Sequence, residues 1–168
     1  MASGVTERSL RLEYRPLPTQ PTVTDVVGFQ VFVVGLVHGL IGADHPVSTL
    51  EWSAARRNFY SAVEDGLEAN FAWVDDEGTM TDSSSRIFEE LFEYARRGLR
   101  QQGLTTEVID GYLAPIEVRW EERTTPSRWK KREVSDRLDR GATLRNAIRG
   151  MQREYIERSR AGDVFVDW

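Results

Sequence analysis

Polar and apolar residues alternate at the start of the chain. In Ser9-Leu10-Arg11-Leu12-Glu13-Tyr14-Arg15 a period of two puts Leu10, Leu12 and Tyr14 on one face and Arg11, Glu13 and Arg15 on the other. That is the pattern of a β-strand over 9–16. Pro16, Pro18 and Pro21 end it, because each lacks an N–H and restricts the residue before it. Thr22 and Asp25 then have the spacing of a helix cap. From Val23 to about Ile41 the chain is apolar nearly all round, which predicts a helix buried on most sides. Gly28, Gly35 and Gly39 weaken that helix and point to close packing against another backbone.

The 3.6-residue period dominates the rest of the chain. After a loop at 42–48 a second helix is expected over about 48–66, with Leu50, Ala54, Phe59, Ala62 and Val63 turned inward. Residues 70–81 read as a short hairpin around Asp75-Asp76-Glu77-Gly78. The clearest apolar stripe (Ile87, Phe88, Leu91, Phe92, Ala95, Leu99) gives a helix over 84–102 that Gly103 stops. Another helix is expected over 106–123, with Val108, Ile109, Tyr112, Leu113, Ile116 and Trp120 inward and Pro115 kinking or splitting it. Two more fit 127–139 and 143–160, and the tail from Asp163 to Trp168 is apolar enough to dock. The fold class is therefore α+β and mainly helical, in a single domain over 1–168 with a helical body at 84–160. A lone strand cannot satisfy its own backbone, so the strand at 9–16 needs partners from the hairpin or from elsewhere.

Composition narrows the chemistry. The 168 residues include no cysteine, which excludes disulfides, thiolate metal sites and cysteine nucleophiles. With two histidines, His38 and His45, an all-histidine zinc site is excluded too. The net charge of −5 gives no overall pull toward nucleic acid or anionic membrane. It is unevenly spread: residues 1–118 carry 9 basic and 18 acidic side chains, residues 119–160 carry 13 and 7. The basic third could be an RNA-binding face, but its acids are interleaved, as on solvated helix faces with arginine–glutamate pairs. No secretory leader is visible, and Asp25, Gln30 and His38 interrupt the apolar stretch 23–43. A cytoplasmic protein with no membrane segment and no nucleic-acid partner is expected.

The row Arg11, Glu13, Arg15 is the sharpest candidate site. Side chains at i, i+2 and i+4 of a strand are about 6–7 Å apart on one face. A carboxylate there can take a hard cation such as Mg²⁺, while guanidiniums hold phosphate or carboxylate oxygens in pairs of hydrogen bonds. The plainer alternative is a self-neutralising, solvent-facing row. Elsewhere the plain readings lead: His38 as a core histidine, His45 as a loop residue, Asp75-Asp76-Glu77 as a solvated turn, and Trp129 as a core residue beside snorkelling Lys130 and Lys131.

The run Arg11-Leu12-Glu13-Tyr14-Arg15-Pro16-Leu17-Pro18-Thr19-Gln20-Pro21, followed by an apolar helix with Gly35-Leu36, resembles the C-terminal part of the glutamate–cysteine ligase/carboxylate–amine ligase family. Asn58, Ala62, Gly66, Leu67 and Ala69 are similar to that family's Asn-x3-Ala-x-Arg-x-Gly-Leu-x-Ala segment, with Glu64 where an arginine is usual. Thr124-Thr125-Pro126-Ser127-Arg128 resembles its Gly-Thr-x-Ala-x-Arg turn, through Thr125 and Arg128.

The resemblance implies the C-terminal portion of a glutamine synthetase-like fold, with one active-site strand ahead of a helical body. It implies ATP-driven amide formation, with glutamate and cysteine as substrates and ATP and Mg²⁺ as cofactors. Glu13 would bind the metal, Arg11 the nucleotide phosphates, and Arg15, the catalytic residue, the transferred γ-phosphate or the acyl-phosphate intermediate. One carboxylate and two arginines are too few for such a site. The chain is therefore expected to be inactive without an N-terminal half. The alternative is a non-catalytic helical module that forms a homo-oligomer.

Overall fold

The computed structural model describes residue 13, residues 20–81 and residues 84–168. The expected strand over 9–16, with Arg11 and Arg15, lies outside the described residues, except for Glu13, which is exposed and in no regular element. The described chain is mainly helical, and its strands are very short. In order come α1 (Val23–Gly42), α2 (Trp52–Asp65), β1 (Trp73–Val74), β2 (Met80–Thr81), α3 (Ser84–Gln101), α4 (Thr106–Glu121), α5 (Pro126–Asp139) and α6 (Leu144–Ala161). β1 and β2 pair antiparallel, with Trp73 opposite Thr81 and Val74 opposite Met80.

Helix starts follow the capping side chains. Thr22, Thr105, Thr125 and Thr143 each accept a hydrogen bond from the N–H three residues on, at the starts of α1, α4, α5 and α6. Gly103, Gly141 and Gly162 follow helix ends with positive φ, where a Cβ would be strained. Pro115 does not split α4, which runs unbroken through it. The carbonyl four residues earlier that loses its donor belongs to Gly111, on the exposed side of the helix.

α1 packs differently from the expectation of a helix buried on most sides. Its buried residues are Asp25, Gly28, Gly35 and Gly39, while Val34 and Ile41 stay exposed. Spacings of seven and four put the three glycines on one face. A Cβ on Gly35 would press against the Ala95 carbonyl oxygen, and one on Gly39 would overlap the Tyr94 carbonyl. From the other side, a Cβ on Gly98 would overlap the Gly35 carbonyl oxygen. α1 and α3 thus meet backbone to backbone, and Val31, Phe32 and Leu36 flank the contact over a core of Ala95, Leu99, Ile109 and Leu113. By length and composition α1 could cross a bilayer.

Two other expectations fail on burial. In α2 only Ala54 is buried, and Phe59, Ala62 and Val63, expected inward, are exposed. His38 is exposed rather than a core histidine, because the glycine face of α1 and not the histidine face meets α3. A second core holds Trp129, Met151 and Phe165, with Val134, Tyr155 and Trp168 around them, so the tail does dock. Across α5 and α6, Arg137 bonds Glu133 and Glu154, and Arg158 bonds Glu154. Burial pushes the Glu154 carboxyl up, but the hydrogen bonds from both arginines outweigh it and hold the group below its ordinary range.

The glycine contact sets the first prediction. Gly98→Val should destabilise the chain by about 3 kcal/mol or more, since backbone rather than a flexible side chain is in the way. Gly111→Ala, with open space around it, should be neutral or stabilising by up to about 1 kcal/mol. Urea unfolding followed by circular dichroism checks both. Equal stabilities for the two variants would contradict the close approach.

Candidate functional site

α1, α3, α4 and the end of α2 enclose a cleft of ≈ 400 Å³. Its walls are aromatic: Phe29 and Phe32 from α1, Phe71 before β1, Phe88 and Phe92 from α3, Trp120 from α4. Phe88 stacks on Trp120 at 3.8 Å between ring centroids, and Phe32 tilts against Phe92 at 5.1 Å. Its polar lining comes from Thr124 and Thr125 at the edge and from the buried Arg119.

The two downstream segments singled out in the sequence meet at this cleft. Ala62, Gly66 and Leu67 line it from one side, Thr124 and Thr125 from the other. Asn58 clamps the backbone of Ala72, accepting its N–H at 2.9 Å and donating Nδ2–H to its carbonyl at 2.7 Å. That clamp ties α2 to the start of β1. Gly66 takes φ +59, a conformation that favours glycine and lets the chain turn out of α2. Beyond it Arg123, itself at φ +52, lies 4.0 Å over the Trp120 ring and donates to the Leu67 carbonyl at 2.7 Å. Arg128 donates to the Arg123 carbonyl at 2.9 Å and pairs with Glu68 at 2.5 Å. The hydrogen bond from Arg128 holds the Glu68 carboxyl below its ordinary range. Glu64, in the position where the resembled pattern has arginine, is exposed.

Beneath the cleft lies a buried ion pair that sequence reasoning missed. Arg119 Nη1 lies 3.4 Å from Asp25 Oδ1, and both side chains are nearly enclosed. Thr22 donates its hydroxyl to Asp25 Oδ2 at 2.7 Å. The guanidinium also lies over the rings of Phe29, at 5.1 Å, and Phe165, at 4.7 Å. Burial pulls the Arg119 guanidinium down from its ordinary value, against the attraction of Asp25 and Tyr155. Tyr155 is pushed up by burial and by Asp25, against Arg119. One arginine thus joins the start of α1, α4 and the C-terminal tail. The available signal was a charged residue at the inward spacing of α4, three after Ile116.

The remaining candidates have structural roles. His45 lies in the loop after α1, as expected, and is buried there. Its Nδ1 accepts from the Val47 N–H at 3.0 Å, so Nε2–H faces Glu90 Oε1 at 2.6 Å. Asp75 is buried rather than solvated, because it accepts from the N–H groups of Glu77 and Thr79 and pairs with Arg86. Lys130 places its ammonium 3.9 Å over the Tyr155 ring, beside the buried Trp129. Among the described residues no group of three or more His, Asp or Glu side chains is placed to hold a metal ion.

The chain matches the family model of Glutamate-cysteine ligase family 2 (GCS2) over residues 3–161. It belongs to that family and is a glutamate–cysteine ligase-like protein. No curated protein and no solved structure matches it.

Removing one partner of the buried pair leaves an uncompensated charge. Asp25→Ala should therefore cost about 3–5 kcal/mol of stability, and Asp25→Ala with Arg119→Met should recover at least half of that. Urea unfolding of the single and double variants checks this. Additive losses would contradict the pairing.

Proposed function

We propose that the chain is the C-terminal portion of an ATP-dependent glutamate–cysteine ligase of the glutamine synthetase-like fold, working in the cytoplasm. The family match over nearly the whole chain carries the reading. The convergence of residues 58–69 and 123–128 on one cleft beside α1 supports it. In this reaction the glutamate γ-carboxylate takes the terminal phosphoryl group of ATP. The cysteine amine then attacks the acyl carbon and phosphate leaves. Arg11 would hold the nucleotide phosphates and Arg15 the transferred group, by paired charge-assisted hydrogen bonds.

Glu13 is an exposed oxygen donor of the kind Mg²⁺ takes, so the donor type fits while the donor number does not. Bound Mg²⁺ would neutralise phosphate charge during transfer. The remaining ligands would come from an N-terminal half of the enzyme. Such a half would also find apolar surface to cover on α1, where Val23, Val34 and Ile41 are exposed.

Titration calorimetry with ATP and Mg²⁺ tests the ligand roles. Binding should require Mg²⁺ and weaken about tenfold or more in Glu13→Gln, a change of about 1.4 kcal/mol. The purified chain alone should show no ATP- and cysteine-dependent turnover. Turnover by the chain alone would overturn the division of the site. Absence of nucleotide binding would favour the non-catalytic helical module.

A further inference from the structure

The outer face of α2 carries exposed apolar side chains from its first turn to its last, with Arg57 near its middle and Glu64 near its C-terminal end. Trp52 (81% exposed), Phe59, Tyr60 and Val63 (69%) project from it, and two shallow depressions run along it between Trp52 and Glu64. Phe59 and Tyr60 meet edge to face at 5.5 Å, and Arg56 lies over the Tyr60 ring at 5.7 Å. Arg57 and Glu64 are both exposed. They are seven residues apart, two turns, and so lie along the same edge of the helix.

We propose that this face is the seat of a two-fold homodimer, with α2 packed antiparallel on the α2 of a second copy. A two-fold axis perpendicular to the helix returns each edge to itself and reverses its direction. Centred between residues 60 and 61, it sets Arg57 of each copy against Glu64 of the other. The same axis gathers Phe59, Tyr60 and Val63 of both copies into one apolar centre, which water would otherwise cover. The face is self-complementary in charge about that axis, which a face built for an unlike partner need not be. Glu64 is one position where this chain departs from the resembled pattern, so the charge match depends on that departure. A 14-residue helix face offers less than the about 800 Å² per partner of a standard interface, so a weak dimer in exchange with monomer is expected.

This surface does not depend on ligase chemistry, and its test does not use activity. Sedimentation equilibrium of the full chain from about 5 to 500 µM should show a monomer–dimer equilibrium in that range. Arg57→Glu and Glu64→Arg should each weaken self-association at least about tenfold, because each sets like charges together. A one-to-one mixture of the two variants should dimerise again, since both charge contacts across the mixed pair then set an acidic side chain against a basic one. Both positions are exposed, and unchanged far-ultraviolet circular dichroism confirms that the variants fold. A chain that stays monomeric throughout overturns the proposal. So does a dimer that both variants leave intact, or a mixture that associates no better than its parts.

Discussion

The backbone-to-backbone approach of α1 to α3 is the constraint on which the rest depends. Gly35 and Gly39 on one helix and Gly98 on the other remove the side chains that would otherwise hold two helices apart. The gain is dispersion contact along the crossing and burial for Ala95 and Leu99, which line it. Glycine costs helix stability, about 1 kcal/mol per position relative to alanine, so tertiary contact must offset several such losses. Gly28 extends the same face to α4, where a Cβ would sit 3.0 Å from the Tyr112 carbonyl oxygen. A single helix is thereby fixed against two neighbours by its least bulky residues, and its larger apolar side chains remain available to other surfaces.

That placement fixes the corner where the family's residues gather. With α1 seated, Asp25 reaches Arg119, and Arg119 in turn packs on Phe29 and on Phe165 of the tail. Phe29 and Phe32 then form one wall of the aromatic cleft, and the segments around Gly66 and Thr125 close it. The arginines in this corner differ in environment and in task. Arg119 is buried and paired with a carboxylate, so it joins three parts of the chain at a cost in desolvation. Arg123 and Arg128 are more exposed and bond backbone carbonyls, which sets the path of the loop after α4.

Much of the helical architecture was legible in the sequence, because threonine caps, glycine stops and stripes such as Ile87 to Leu99 each obey local rules. Burial was less legible. An apolar pattern shows which surfaces favour cover but not whether cover is present, so α1 reads as buried while its side chains are half exposed. Phe59 and Val63 fail for the same reason. Asp75 fails in the other direction, since short-range backbone N–H bonds can satisfy a polar side chain inside the fold. At the candidate site, Asn58, Gly66, Leu67 and Thr125 were visible as a family pattern. Their physical work was not, because the Asn58 clamp spans fourteen residues and the Arg123–Leu67 bond fifty-six. Arg11 and Arg15 lie outside the described residues, and their roles rest on the family pattern alone.

Native-state hydrogen exchange tests the central claim most directly. If close contact at the glycines holds α1, its backbone amides from about Phe29 to Gly39 should exchange only with those of α3 and α4, in one cooperative opening, despite the exposed side chains around them. The amides of α2, with one buried residue, should open earlier. Exchange of α1 at the rate of α2, with α3 and α4 still protected, would contradict the account.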